Sequence, residues 1–414
     1  MLKAIKIRLY PEENQIVYMN KLLGSCRFAY NKCLEYKIKQ YNENKKSVSF
    51  GELGKHLLKL KNENDFLKEI HSKVLQQTLI NLLGAYNNFF KNGNGFPKFK
   101  SKKDNKQTCR FPIDAIIGVQ GNRINITRIL SNIHFKCSVK DEIYLNKNQN
   151  LIKSGTLTKT KSNRYSFSIL IDRTGDNKIL PKTDKIIGID VGIKDFIITS
   201  EGISYENIKI KRSNKEKLIK LNRQLSKKVN GSKNKEKQRI KLAKYHEKLN
   251  NIKENYLHQV SNQLLNDNQI IVIENLNVSG MMKNHHLAKS IQELSLNKFK
   301  NILEYKAEWY DRQLIEIDRW FPSSKLCSIC GYKKDDLTLK DREWTCPKCN
   351  THHNRDFNAA INIKKEGEKI IKIGLSSPEL TLVDCPLVDG KAEKPLKSYD
   401  RLKQEKNVIC DLHL

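Results

Sequence analysis

The chain has 414 residues, 38% of them hydrophobic, which is enough for two or three compact domains with a core in each. Lys and Arg number 77 against 45 Asp and Glu, a formal charge of +32 that fits a phosphate-backbone partner; a lysine-rich genome is the bland alternative, and only the distribution of charge separates the two. No apolar stretch approaches the roughly 18 residues a membrane span requires, and Met1 to Lys6 alternates like a strand rather than forming a signal-peptide core, so a membrane partner is excluded and a cytoplasmic protein expected.

Leu2, Ala4, Ile5, Ile7 and Leu9 precede Pro11 in an alternating pattern that predicts a strand, and Met19, Leu22, Leu23, Cys26, Ala29 and Tyr30 then recur at helical spacing. A second helical stretch runs from about Phe50 to Phe90. From Cys109 to Ile171 the period shifts towards two, in short runs separated by polar turns, as in a small β-barrel. Residues 1–180 therefore read as a β-barrel domain with a helical insertion at about 12–93. Within it, Phe96-Pro97-Lys98-Phe99-Lys100 interleaves rings and charges as a base-stacking surface would, with Lys98 and Lys100 as candidate nucleic-acid contacts and a packed loop as the equal alternative.

After Pro181 the run Lys185-Ile186-Ile187-Gly188-Ile189-Asp190 predicts a buried strand ending in a carboxylate, opening a second domain over residues 181–365. Between Lys209 and Glu254, 17 Lys or Arg face 4 acidic residues. This basic helical arm, about 209–266, keeps Leu242, Tyr245, Leu249, Ile252, Tyr256 and Val260 on one packing face. Lys227, Lys228, Lys233, Lys235, Lys237 and Arg239 are its candidate phosphate contacts, against the alternative of a merely solvated helix. A second strand, Ile270 to Ile273, ends in Glu274, and Asp356 precedes a further helix; in an RNase H-like fold the three carboxylates converge. Such convergence is costly without counter-ions and favourable with them, and carboxylates suit Mg²⁺ or Mn²⁺. Two ions held by Asp190, Glu274 and Asp356 would activate a water and stabilise the leaving 3′ oxygen of a phosphodiester.

Of ten cysteines, Cys327, Cys330, Cys346 and Cys349 form Cys-x₂-Cys-x₁₅-Cys-x₂-Cys, the spacing of a closed structural Zn²⁺ site, here a zinc ribbon at about 322–353. Cys26, Cys33, Cys109, Cys137, Cys385 and Cys410 are scattered, so no disulfide scaffold is expected.

The order of Gly188-Ile189-Asp190-Val191-Gly192, Ile273-Glu274-Asn275-Leu276, the cysteine cluster and Arg355-Asp356-Phe357-Asn358-Ala359-Ala360-Ile361-Asn362-Ile363 resembles the TnpB family of insertion-sequence-encoded nucleases, the apparent ancestors of type V CRISPR effectors. Phe96 to Lys100, Leu242 to His246 and Phe321-Pro322-Ser323-Ser324-Lys325 extend the resemblance over nearly the whole chain. It implies an α+β multidomain protein with a wedge-like N-terminal β-barrel, a helical recognition insertion and a C-terminal RuvC-like nuclease domain carrying the zinc ribbon. It also implies an RNA-guided DNA endonuclease, with an element-derived guide RNA and double-stranded target DNA as partners and the catalytic triad Asp190, Glu274 and Asp356; the sequence does not set the oligomeric state, for which a monomer is the expectation. A nuclease-inactive DNA-binding repressor and a conventional transposase are the rival readings. Asn354 stands where many relatives have an additional Asp, and residues 366–414 lack periodicity and read as a mobile tail.

Overall fold

The computed structural model describes residues 2–116, 118–127, 129–173, 180–207, 212–338 and 341–376. Met1–Gly367 forms one compact unit; Glu368–Leu414 forms a second, of which residues 368–376 are described and are helical.

The chain starts with β1 (Leu2–Tyr10), whose alternate residues Ile5, Ile7 and Leu9 are buried as the period-two pattern requires. Four helices follow: α1 (Glu13–Asn44), α2 (Phe50–Glu63), α3 (Asp65–Lys68) and α4 (Ser72–Asn92). Capping boxes open two of them, Glu12 with Gln15 on α1 and Ser49 with Glu52 on α2, and α1 stops where Lys45 turns left-handed. The chain then forms β2 (Lys106–Pro112), β3 (Gly118–Gln120), β4 (Arg123–Asn125), β5 (Ile133–Lys136), α5 (Val139–Lys147), β6 (Ile152–Thr160) and β7 (Tyr165–Asp172). The seven strands make one antiparallel sheet in the order β2-β6-β7-β1-β5-β4-β3, and among the described residues its end strands β2 and β3 share no pairing. Phe111, Phe135 and Phe167 share one core with Met19, Leu22 and Leu79 of the helices, so helices and sheet cover each other's apolar faces.

The rest of the chain gives β8 (Ile186–Asp190), β9 (Asp195–Thr199), β10 (Ser204–Glu206), α6 (Arg212–Ser226), α7 (Lys233–Asp267), β11 (Ile270–Glu274), α8 (Val278–Met281), α9 (His285–Leu294), α10 (Leu296–Tyr310), β12 (Gln313–Ile317), β13 (Glu343–Thr345), β14 (His352–Asn354) and α11 (Arg355–Ser376). Five strands form a mixed sheet in the order β10-β9-β8-β11-β12, with β8, β11 and β12 parallel. On one face, Ile187, Ile189, Ile271 and Ile273 pack with Leu257, Val260 and Leu264 of α7 and Phe299 and Leu303 of α10. On the other face α11 packs directly against the backbone of β8, which Gly188 permits: a methyl group there would lie 2.3 Å from the Ala360 carbonyl oxygen. A methyl on Gly367 would likewise lie 2.4 Å from Val272 of β11. α11 runs through Glu366 to Ser376, which corrects the expectation of a tail starting at Glu366. Residues 377–414 and the first arm residues, 209–211, lie outside the described residues.

Candidate active site and cysteine cluster

Strand alternation sets the site's geometry. Asp190 shares the α11 face with Gly188, and Glu274 shares it with Val272, because side chains two residues apart point the same way. Val272 pairs with Gly188 and Ile273 with Ile189, so Glu274 follows as the next rung beside Asp190. Asp356 lies in the first turn of α11, one turn before Ala360 at the Gly188 contact, and is thereby brought to the same strand ends. The three sequence-selected carboxylates thus gather at one end of the sheet. Burial, then the charges of Glu274 and Asp356, push the Asp190 carboxyl up to about 7. Burial raises Glu274 as well, against the pull of the Ser323 hydroxyl, which donates to its Oε1.

Cations of the protein neutralise part of this charge. Arg342 Nη1 lies 2.9 Å from Asp356 Oδ2, and Arg355 Nη2 lies 2.9 Å from Asp356 Oδ1. Asn362 Nδ2 donates to the carbonyls of Ser323 and Leu326, at 2.8 and 2.7 Å, and Asn358 bridges the Leu326 carbonyl and the Ser328 N–H. These bonds clamp the Phe321-to-Lys325 stretch to α11 and so hold Ser323 on Glu274. Sequence reasoning had not selected Ser323, Arg342, Arg355, Asn358 or Asn362; for Arg355, Asn358 and Asn362 their place in the same motif as Asp356 was the available signal, whereas Arg342 and Ser323 reach the carboxylates only through the fold. Asn354, the departure from the family pattern, caps α11: its Oδ1 accepts from the Phe357 N–H at 3.1 Å.

The four cysteine sulfurs lie within 4.8 Å of one another, the closest-set group of three or more His, Cys, Asp or Glu ligand atoms among the described residues. Each pair sits in the same backbone knuckle. The N–H of Gly331 donates to the Cys327 carbonyl at 3.0 Å and that of Asn350 to the Cys346 carbonyl at 2.9 Å, with both acceptor turns closed by a left-handed residue, φ 72° and 54°. The Thr351 hydroxyl and backbone beside Cys349 lower its thiol, whereas burial and the neighbouring cysteine sulfurs raise that of Cys330. Four sulfurs at this spacing fit one Zn²⁺ with no open position. Nε2 of His353 approaches Cys327 Sγ at 3.1 Å, three residues before Asp356. Among the described cysteines none is disulfide-bonded.

The basic arm forms the helix pair α6 and α7. Lys227, Lys228, Lys233 and Lys237 are exposed, whereas Lys235 bonds Asn230 at 2.5 Å and Arg239 is occupied by Glu236 and the Lys161 carbonyl. A cleft of about 630 Å³ between the helices is lined by Lys217, Lys241, Lys244 and Lys248 with Arg164 from the β6–β7 turn, a cluster that sequence reasoning did not single out. Lys98 is exposed, but Lys100 is drawn inward, its ammonium 4.0 Å from the Tyr30 ring centre, which favours the packed-loop reading at that residue.

Family models match three segments: "Helix-turn-helix domain" over residues 1–46, "Probable transposase" over 168–285 and "Cas12f1-like, TNB domain" over 297–363. In the first segment the chain forms a strand and one continuous helix. A Streptomyces pristinaespiralis protein named "Putative RNA-guided DNA endonuclease" is 33% identical over 88% of this chain and 89% of its own, and "Putative RNA-guided DNA endonuclease InsQ" of Escherichia coli K12 is 28% identical over 90% and 94%. The protein of a solved "Cas12f1-sgRNA-target DNA complex" shares the fold, with a TM-score of 0.50 at 16% identity over 86% of this chain and 83% of that one. With a relative of that identity aligned along nearly its whole length, the chain belongs to the family of these RNA-guided DNA endonucleases, the TnpB family that its motifs resemble.

Proposed function

We propose that this protein is an RNA-guided DNA endonuclease of a transposable element, which hydrolyses DNA phosphodiesters at Asp190, Glu274 and Asp356. The observation that carries the reading is the gathering of these carboxylates at adjacent strand ends, where Asp190 is pushed up to about 7. A donor set of three converging carboxylates fits Mg²⁺ or Mn²⁺, because divalent charge relieves the repulsion that raises Asp190. Bound there, two such ions would supply water activation and stabilisation of the leaving 3′ oxygen. The chain's own part is positional. β8 and β11 present Asp190 and Glu274, α11 brings Asp356, and Ser323 fixes the rotamer of Glu274. Arg342 and Arg355 orient Asp356 and lower the local negative potential that would repel a phosphate backbone.

In this reading residues 1–180 form the wedge-like barrel with its recognition insertion, which holds the guide–target duplex by shape and backbone while base pairing reads sequence. Residues 181–365 form the RuvC-like nuclease domain, with Cys327, Cys330, Cys346 and Cys349 holding one structural Zn²⁺. The exposed arm lysines and the Lys241, Lys244 and Lys248 cleft contact nucleic-acid phosphates. Purification from cells followed by sequencing of bound RNA, then cleavage of matching double-stranded DNA in Mg²⁺, tests the function. Asp190→Ala, Glu274→Ala and Asp356→Ala are each expected to abolish cutting while leaving RNA and DNA binding in place. Full cutting by any one removes that residue from the site, and absence of a defined co-purifying RNA refutes guidance.

A further inference from the structure

We propose that Trp320 is a stacking platform for an unpaired base of the DNA strand that is cut, an inference that rests on the endonuclease reading above. β12 runs parallel to β11 with Ile317 opposite Glu274, so Asp318, Arg319 and Trp320 continue past the strand end where the carboxylates stand. The segment is fastened on both sides of the indole. Nε of Arg319 donates at 3.4 Å to the carbonyl of Asn275, the residue after Glu274, and three residues beyond Trp320 the Ser323 hydroxyl donates to Glu274 itself. The Trp320 backbone N–H is also fixed, donating to Asp318 Oδ1 at 2.8 Å. Yet the residue is 83% exposed, more than any other large hydrophobic residue described, so its backbone is held in place while its ring remains in water.

A flat apolar ring exposed on a tethered backbone beside a phosphodiester-cutting site fits the face of a nucleobase. Stacking of this kind tolerates any sequence, as an enzyme that delegates sequence reading to base pairing requires. The base must be unpaired, because the faces of duplex bases are covered by their neighbours. Guide pairing with one DNA strand leaves the other single-stranded, and that strand reaches the carboxylates with its bases free. Stacking one base on Trp320 would hold the strand past the end of β11 and reduce its sliding through the site.

The test uses the protein–guide RNA complex and a target duplex mismatched over the guided stretch, so that the second strand is unpaired from the start and no duplex opening is needed. Trp320→Ala and Trp320→Leu are expected to raise KM about tenfold and to scatter the cut positions, while Trp320→Phe stays within about twofold of wild type. Zinc content and melting temperature, unchanged in all three, report intact folding. In the Asp190→Ala complex, which keeps the strand uncut, oligothymidylate is expected to quench tryptophan emission, and Trp320→Phe to remove that quenching. Wild-type KM in Trp320→Leu, a Phe variant as defective as Ala, or quenching that persists in Trp320→Phe would each overturn the stacking role. A wild-type complex that cuts no DNA would instead refute the endonuclease reading, and the quenching comparison would still decide whether Trp320 stacks bases.

Discussion

At Asp190, burial and like charge act in the same direction. Its carboxyl is pushed from an ordinary 3.8 up to about 7 without metal. Between those two values the folded chain holds a proton that the unfolded chain has lost, so metal-free stability falls as pH rises through that window. Asp190→Asn keeps the shape and removes the charge. It is expected to stabilise the metal-free protein by about 1–3 kcal/mol at pH 8, with a smaller gain at pH 5, while abolishing cleavage. Thermal melts in chelator at both pH values check this, and an equal gain at the two would refute buried charge as the cause. Asp190 and Glu274 were legible because each ends a short apolar strand, a pattern local to a few residues. Ser323 was not, since it lies 49 residues from Glu274 and its role exists only once β11, α11 and the intervening stretch have packed.

Among the elements, the two cysteine knuckles show how far local sequence reaches. Spacing alone selected Cys327, Cys330, Cys346 and Cys349, and the gathering of their sulfurs follows from two turns of the same form, each closed by a residue that tolerates a left-handed backbone. Because β14 leads directly into Arg355 and Asp356, loosening the knuckles should disturb the head of α11. One zinc per chain is expected, and Cys346→Ser is expected to lower both zinc content and cleavage severalfold; metal analysis that finds no zinc in the wild type, or unchanged zinc in the variant, refutes the assignment. α5 shows the limit in the other direction. The period-two reading of 109–171 passed over it although Ser138 caps it by accepting from the Asp141 N–H, because Val139, Ile143 and Leu145 also alternate as in a strand. Helix won there through the cap and only one buried side chain, Leu145.

Over the whole molecule, the +32 charge is unevenly spread, and the structure gathers part of it in the α6–α7 cleft. If Lys241, Lys244 and Lys248 contact backbone, replacing them by Gln should weaken guide or target binding and flatten its salt dependence by roughly 0.7 to 0.9 in log–log slope per lost contact. Sequence preference should stay the same. Parallel lines for wild type and variant across a salt series would leave these lysines a role in solubility alone. α7 itself reaches further than its lysines. Towards its middle, Glu247 is held by the Ser162 hydroxyl at 2.6 Å and by Arg164 at 3.4 Å, both in the β6–β7 turn of the seven-stranded sheet. Its last turns, through Leu257, Val260 and Leu264, sit under β8 and β11. From Glu247 to Asp267 an unbroken helix covers about 30 Å. The helix is therefore a strut of fixed length between the seven-stranded sheet and the strand that carries Glu274, and, on the proposed function, nucleic acid lying along its lysines would be gauged in helical turns against the point of cutting.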